Sequence, residues 1–128
     1  TSPTSSVFTV SDGADVNRSN DFFIAHLFAT VAGVTKVGTA TVSGATNIDC
    51  GFSSGSRLVI IKRYDASGDW MLFNTTTGLV AGNDALITLN NNTAISSNTD
   101  PIDPLNAGFT LNGSVVGNGD YVFLAVAA

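Results

Sequence analysis

Four groups of residues in this chain have types and spacings that chemistry could use. In DGADVNRSND, Asp15, Asn17, Ser19 and Asp21 alternate, which sets oxygen donors at the early positions of a calcium-binding loop. Such a loop also needs a glycine at its sixth position and an acidic residue at its twelfth, and here those positions are Asn20 and His26. A polar turn is the expected role. Asp100 and Asp103 could serve as the acid and base of a glycosidase, but each precedes a proline and reads as a turn former. His26 is the one histidine, and no serine or cysteine elbow accompanies it as a nucleophile. Cys50 is the one cysteine, with Asp49 beside it where a reactive thiolate needs a basic neighbour. The sequence thus predicts no catalytic residue, no cofactor and no metal ligand, and the chain is expected not to be an enzyme.

The elements that carry these residues read as strands. The chain has 128 residues, the size of one domain, and its 44% hydrophobic content can fill a core. It contains no Glu and no Gln, while Ser, Thr, Asn and Gly fill its polar positions, a vocabulary of turns and caps rather than helix interiors. Apolar runs recur every eight to twelve residues or so between Gly, Asn, Asp and Ser turns. The predicted strands are VFTV, FFIAHLFAT, VGTATVSG, TNIDCGF, RLVIIKRY, DWMLFNT, ALITLN, AGFTLNG and DYVFLAVA. The fold class expected is all-β, an antiparallel β-sandwich of jelly-roll-like form. Residues 1–20 are expected to be an N-terminal arm with a first strand, and residues 21–128 the sandwich. Trp70, Phe73, Phe109 and Phe123 are expected to pack between the sheets, because each sits in an apolar strand-like run. The stretch from residue 78 to 108 looks the most loop-like, with Pro101 and Pro104 fixing an extended corner.

Charge narrows the partners. The formal net charge is -5 and the five Lys and Arg residues form no basic stripe, so nucleic acid is not an expected partner. No apolar run nears the roughly twenty residues of a membrane-spanning helix, so no membrane insertion is expected. A mean hydropathy of +0.28 with only 12% charged residues leads instead to the expectation that other subunits cover part of the surface. Asn-x-Ser/Thr sequons at Asn17, Asn74, Asn91 and Asn112 follow from the composition.

One phrase is written twice. Phe8-Thr9, a polar turn and DFFIAHLFA match Phe109-Thr110, a turn two residues shorter and DYVFLAVAA, which aligns Asp21 with Asp120, Phe22 with Tyr121 and Ala29 with Ala128. Each copy reads as a hairpin. The strand Phe22–Ala29 is expected to complete this chain's own sheet, being too apolar to stay outside it. The polar stretch from Thr1 to about Val10 is expected to reach a neighbouring subunit through Val7, Phe8 and Val10.

The pattern formed by Gly51, Phe52, Gly55, Arg57, Val59, Ile61, Lys62, Arg63, Asp65, Gly68, Asp69 and Trp70 continues through Ile102-Asp103-Pro104-Leu105 and Gly108-Phe109 to Tyr121, Phe123, Ala125 and Ala127. It resembles an uncharacterised domain family in structural proteins of marine bacteriophages, over nearly the whole chain beyond the N-terminal arm. The resemblance implies a noncatalytic virion protein on the particle exterior, as a capsid-decorating or assembly module. Its implied partners are other copies of itself, a trimer among the arrangements, and other virion proteins. The alternatives are a tail-fibre domain recognising a host surface glycan and, more remotely, an extracellular glycan hydrolase. Thr1 is a residue before which an initiator Met is readily removed, which leads to the expectation of a separate small protein.

Overall fold

Side chains along a strand alternate between its two faces, so a run apolar at every position commits both faces of a sheet to apolar contact. Several runs here are of that kind. The structure, a computed structural model, describes residue 4, residues 6–11 and residues 13–128. The elements in chain order are α1 (Ala14–Asn17), β1 (Thr35–Val42), β2 (Ala45–Asp49), β3 (Ser56–Arg63), β4 (Trp70–Asn74), β5 (Asp84–Thr88), β6 (Ser96–Thr99), β7 (Ile102–Leu105), β8 (Gly108–Asn112), α2 (Gly113–Val116) and β9 (Gly119–Ala127). One sheet has six strands in the order β1-β9-β3-β4-β5-β6, and the other has three in the order β2-β8-β7. All pairings are antiparallel, and the two sheets form an all-β sandwich.

The core lies between the sheets. From the wide sheet come Val42, Tyr121, Phe123, Ala125, Val59, Ile61, Met71 and Phe73; from the narrow one come Ile48, Phe109, Leu111 and Ile102. Phe109 and Phe123 meet edge to face, with ring centroids 5.5 Å apart and planes at 79°. Gly38 makes that contact fit, since a Cβ there would stand 2.9 Å from Cζ of Phe123. Gly108 serves the narrow sheet likewise, because a Cβ on it would come within 2.1 Å of the Ile48 carbonyl oxygen on the paired strand β2. The expected core positions of Phe73, Phe109 and Phe123 are all buried. Trp70 is not between the sheets: it is 43% exposed. Met71 and Phe73 take the inward parity of β4, so Trp70 and Leu72 face outward. WMLFN is apolar on both parities, which is why the sequence leaves its direction open.

Three further expectations are corrected. The second copy of the repeated phrase is a crossover, not a hairpin: β8 belongs to the narrow sheet, β9 to the wide one, and α2 bridges them. Asn112 caps α2 by accepting the Ser114 N–H, and Gly117 with φ of 94° turns the chain out of it. The stretch expected to be loop contains β6 and β7. Pro104 lies within β7, tolerated because β7 is an edge strand. Neither VFTV nor FFIAHLFAT is a strand, so the sandwich begins at Thr35 rather than residue 21. Of the expected arm, residues 1–3, 5 and 12 lie outside the described residues.

Replacing Phe109 by Ala removes one half of the aromatic contact and leaves a cavity between the sheets, at a cost of about 3–5 kcal/mol. Denaturant unfolding of Phe109→Ala is expected to show that loss as a lower midpoint with an unchanged slope.

Candidate functional site

The outer face of the six-stranded sheet is apolar where a solvated sheet face would be polar. Strand register aligns Val37, Leu124, Ile60, Leu72 and Ile87 in a single row across β1, β9, β3, β4 and β5. All five are half-buried. Beside this row, Val122 pairs across to Lys62 and Lys62 to Trp70. A groove of about 450 Å³ lies over Val37, Ile60, Trp70, Val122 and Leu124, with Leu89 at one margin. His26 and Phe28 line part of it from the segment that precedes β1.

Those last two residues belong to the first copy of the repeated phrase. The segment leaves β1 through a tight turn in which Val31 bridges Thr35 and Gly33 takes a φ of 70°. The Thr30 hydroxyl occupies the edge of β1, accepting the Val37 N–H at 3.1 Å and donating to the Val37 carbonyl at 3.2 Å. Thr35 Oγ1 donates to the Ala29 carbonyl at 2.8 Å. A side chain thus stands where the next pair of ladder bonds would form, and the segment departs over the outer face instead of zipping onto the edge. Phe22, Ile24 and Leu27 are left 102%, 85% and 76% exposed. Val7, Phe8 and Val10 are also exposed.

The residues singled out for chemistry are not brought together. Asp15 sits on the single turn of α1, and Asp21 pairs with Arg18 at 3.5 Å. No three His, Cys or Asp side chains among the described residues meet in a way that could hold a metal ion. Cys50 is buried, and burial pushes its thiol up to about 11, against the lowering effect of Lys36, so it stays protonated at neutral pH. Lys62 Nζ donates to the Gly68 carbonyl, and Arg63 Nε donates to Asp65 Oδ1 at 2.7 Å. Asp69 accepts from Asn90 Nδ2, whose Oδ1 accepts the Trp70 N–H. The most distinctive motif of the sequence is therefore a set of turn and loop fastenings.

Asp84 is a residue the sequence reading did not single out. Fully buried, it accepts the Val80 N–H through Oδ1 at 2.9 Å and the Ile102 N–H through Oδ2 at 3.3 Å. It ties β5 of the wide sheet to the start of β7 in the narrow one. Burial raises its pKa above the usual carboxylate range, the two N–H donors oppose that, and the like charges of Asp100 and Asp103 add to it. Asp100 and Asp103 thus flank a structural carboxylate rather than a cleft.

A protein-family model described as a domain of unknown function (DUF7483) matches residues 1–128. The chain belongs to this family. No curated protein and no solved structure matches it. In this DUF7483 domain the family match takes in the segment that precedes the sandwich as well as the sandwich itself.

Two measurements test these assignments. Because the folded pKa of Asp84 is raised, its contribution to stability is fully present below the unfolded value and is lost as pH rises through the raised one. Asp84→Asn, which also turns an N–H donor toward one of the two backbone N–H groups, is thus expected to be most destabilising relative to wild type near pH 4 and less so at pH 7, in urea titrations. Trp70 is the single tryptophan and stands at the groove. At concentrations low enough to keep the chain monomeric its fluorescence is expected to be quenched readily by acrylamide; a strongly protected emission there would place the ring in the core.

Proposed function

We propose that this chain is a noncatalytic structural module on the exterior of a bacteriophage particle, decorating or helping to assemble the capsid through contacts with its own copies and with other virion proteins. The single observation that carries the assembly reading is the outer sheet face with the exposed Phe22, Ile24 and Leu27 beside it. Exposed large apolar side chains gathered in one segment are the kind of surface that protein partners cover. Val7, Phe8 and Val10 are exposed apolar side chains as well. The virion setting rests on the motif resemblance running from Gly51 to Ala127. Acid and base glycoside cleavage finds little support in the groove, since no carboxylate is among the side chains lining it.

A second reading, a tail-fibre domain that recognises a host surface glycan, draws on Trp70. An exposed indole with Asp69 and Asn90 close by offers an apolar face and polar rim of the kind a sugar ring takes. The two readings separate on the particle. Labelling the chain and imaging purified virions is expected to place many copies over the capsid lattice. Labels confined to the tail, with purified protein adsorbing to host cells and blocking infection, would transfer the role to host attachment. Absence from every particle would remove both.

A further inference from the structure

We propose that the outer face of the six-stranded sheet is the contact between two copies of this chain, related by a twofold axis, with Phe22, Ile24 and Leu27 of each copy entering the groove of the other. The inference rests on reading the chain as an assembly module and names the partner and the surface.

One segment supplies both a part of the groove lining and exposed apolar side chains. His26 and Phe28 line part of the groove, while Phe22, Ile24 and Leu27 of the same segment stand out into solvent. A twofold contact satisfies both features at once, because each copy supplies a projection and a recess. A different partner would have to match both separately.

Area and charge favour the same occupant. Taking ~200 Å² for a fully exposed large apolar side chain, the exposed parts of Phe22, Phe23, Ile24, Leu27 and Phe28 come to on the order of 700 Å². Stable interfaces bury about 800 Å² on each partner, so the segment and the groove floor together reach what a dimer needs. A chain of net charge -5 repels its own copies, and a self-contact must sit where the carboxylates are not. The nine residues FFIAHLFAT carry no Asp, Lys or Arg, and the groove is lined by aliphatic and aromatic side chains with His26.

Strand exchange is a poorer account of the repeated phrase. If Phe22–Thr30 replaced β9 in a second copy, in the alignment that matches Phe22 to Tyr121, His26 would fall on the fully buried Ala125. An imidazole does not fit a methyl-sized site in a packed core. The segment therefore docks on a face rather than within a sheet.

Sedimentation equilibrium of the full chain from 1 to 100 µM is the test. A dimer is expected, and Phe22→Asp combined with Ile24→Asp is expected to raise its Kd by at least about 30-fold, as loss of central anchors does. Both side chains face solvent, so the thermal melt of the double variant should match wild type at low concentration. Val115→Asp, an exposed position on α2, should leave the dimer unchanged. Mixing Phe22→Cys chains with Leu89→Cys chains should give an intermolecular disulfide under mild oxidation, with Cys50 silent because it is buried. A wild-type monomer at 100 µM overturns the proposal, and if that monomer binds phosphatidylcholine vesicles the face belongs to lipid. A dimer indifferent to the Asp substitutions, or a Cys pair that does not cross-link, overturns it as well. A dimer absent from every particle would remove the virion reading and keep this contact, whereas a monomer found on particles would do the reverse.

Discussion

The edge-to-face contact of Phe109 with Phe123 holds two sheets of unequal width together, and much else follows from it. Phe109 sits in the central strand of the narrow sheet and Phe123 in a strand of the wide sheet that is paired on both sides. Their meeting fixes the spacing between layers, and it requires Gly38 behind Phe123. Gly108, the residue before Phe109, lets β2 approach β8. The two rings are also successive in the chain's plan, one at the end of each arm of the crossover through α2.

Three strands supply few inward side chains to set against six. Met71 and Phe73 of β4 and the loop residue Leu79 extend the core toward β5, where Asp84 reaches Ile102 and ties the layers through backbone N–H groups rather than apolar packing. A buried carboxylate is costly unless it is hydrogen-bonded, so this device holds only while both donors stay in place. The turn between Val80 and Asp84 and the entry to β7 are accordingly fixed by one side chain.

The same strands that fill the core are apolar on their outer parity. Val37, Leu124, Ile60, Leu72 and Ile87 form a row that the chain only partly covers with His26 and Phe28. The function proposed here therefore resides in a surface rather than a reactive group, and the residues with chemical potential serve the fold. Lys62, Arg63 and Asp65 fasten a loop, Asp100 and Asp103 surround a structural carboxylate, and Cys50 is buried as a small apolar residue.

Seven of the nine strands, the all-β class and the core roles of Phe73, Phe109 and Phe123 were legible in the sequence. Their signals are local: alternation with a period of two, and turn residues between apolar runs. Strands β6 and β7 were hidden, since SSNT has no apolar parity and IDPL carries a proline that only an edge position admits. Trp70 was misplaced because both parities of WMLFN are apolar, and only its pairing with β3 decides which side faces the narrow sheet. The fate of FFIAHLFAT was likewise beyond local reading: its pattern matches β9, but the place between β1 and β3 is already filled by β9 itself. The sequence by itself determined which segments extend and where they turn, because backbone preference and periodicity act over a few residues. Tertiary structure alone decided which apolar faces are covered, because coverage depends on how many strands each sheet gathers from distant parts of the chain.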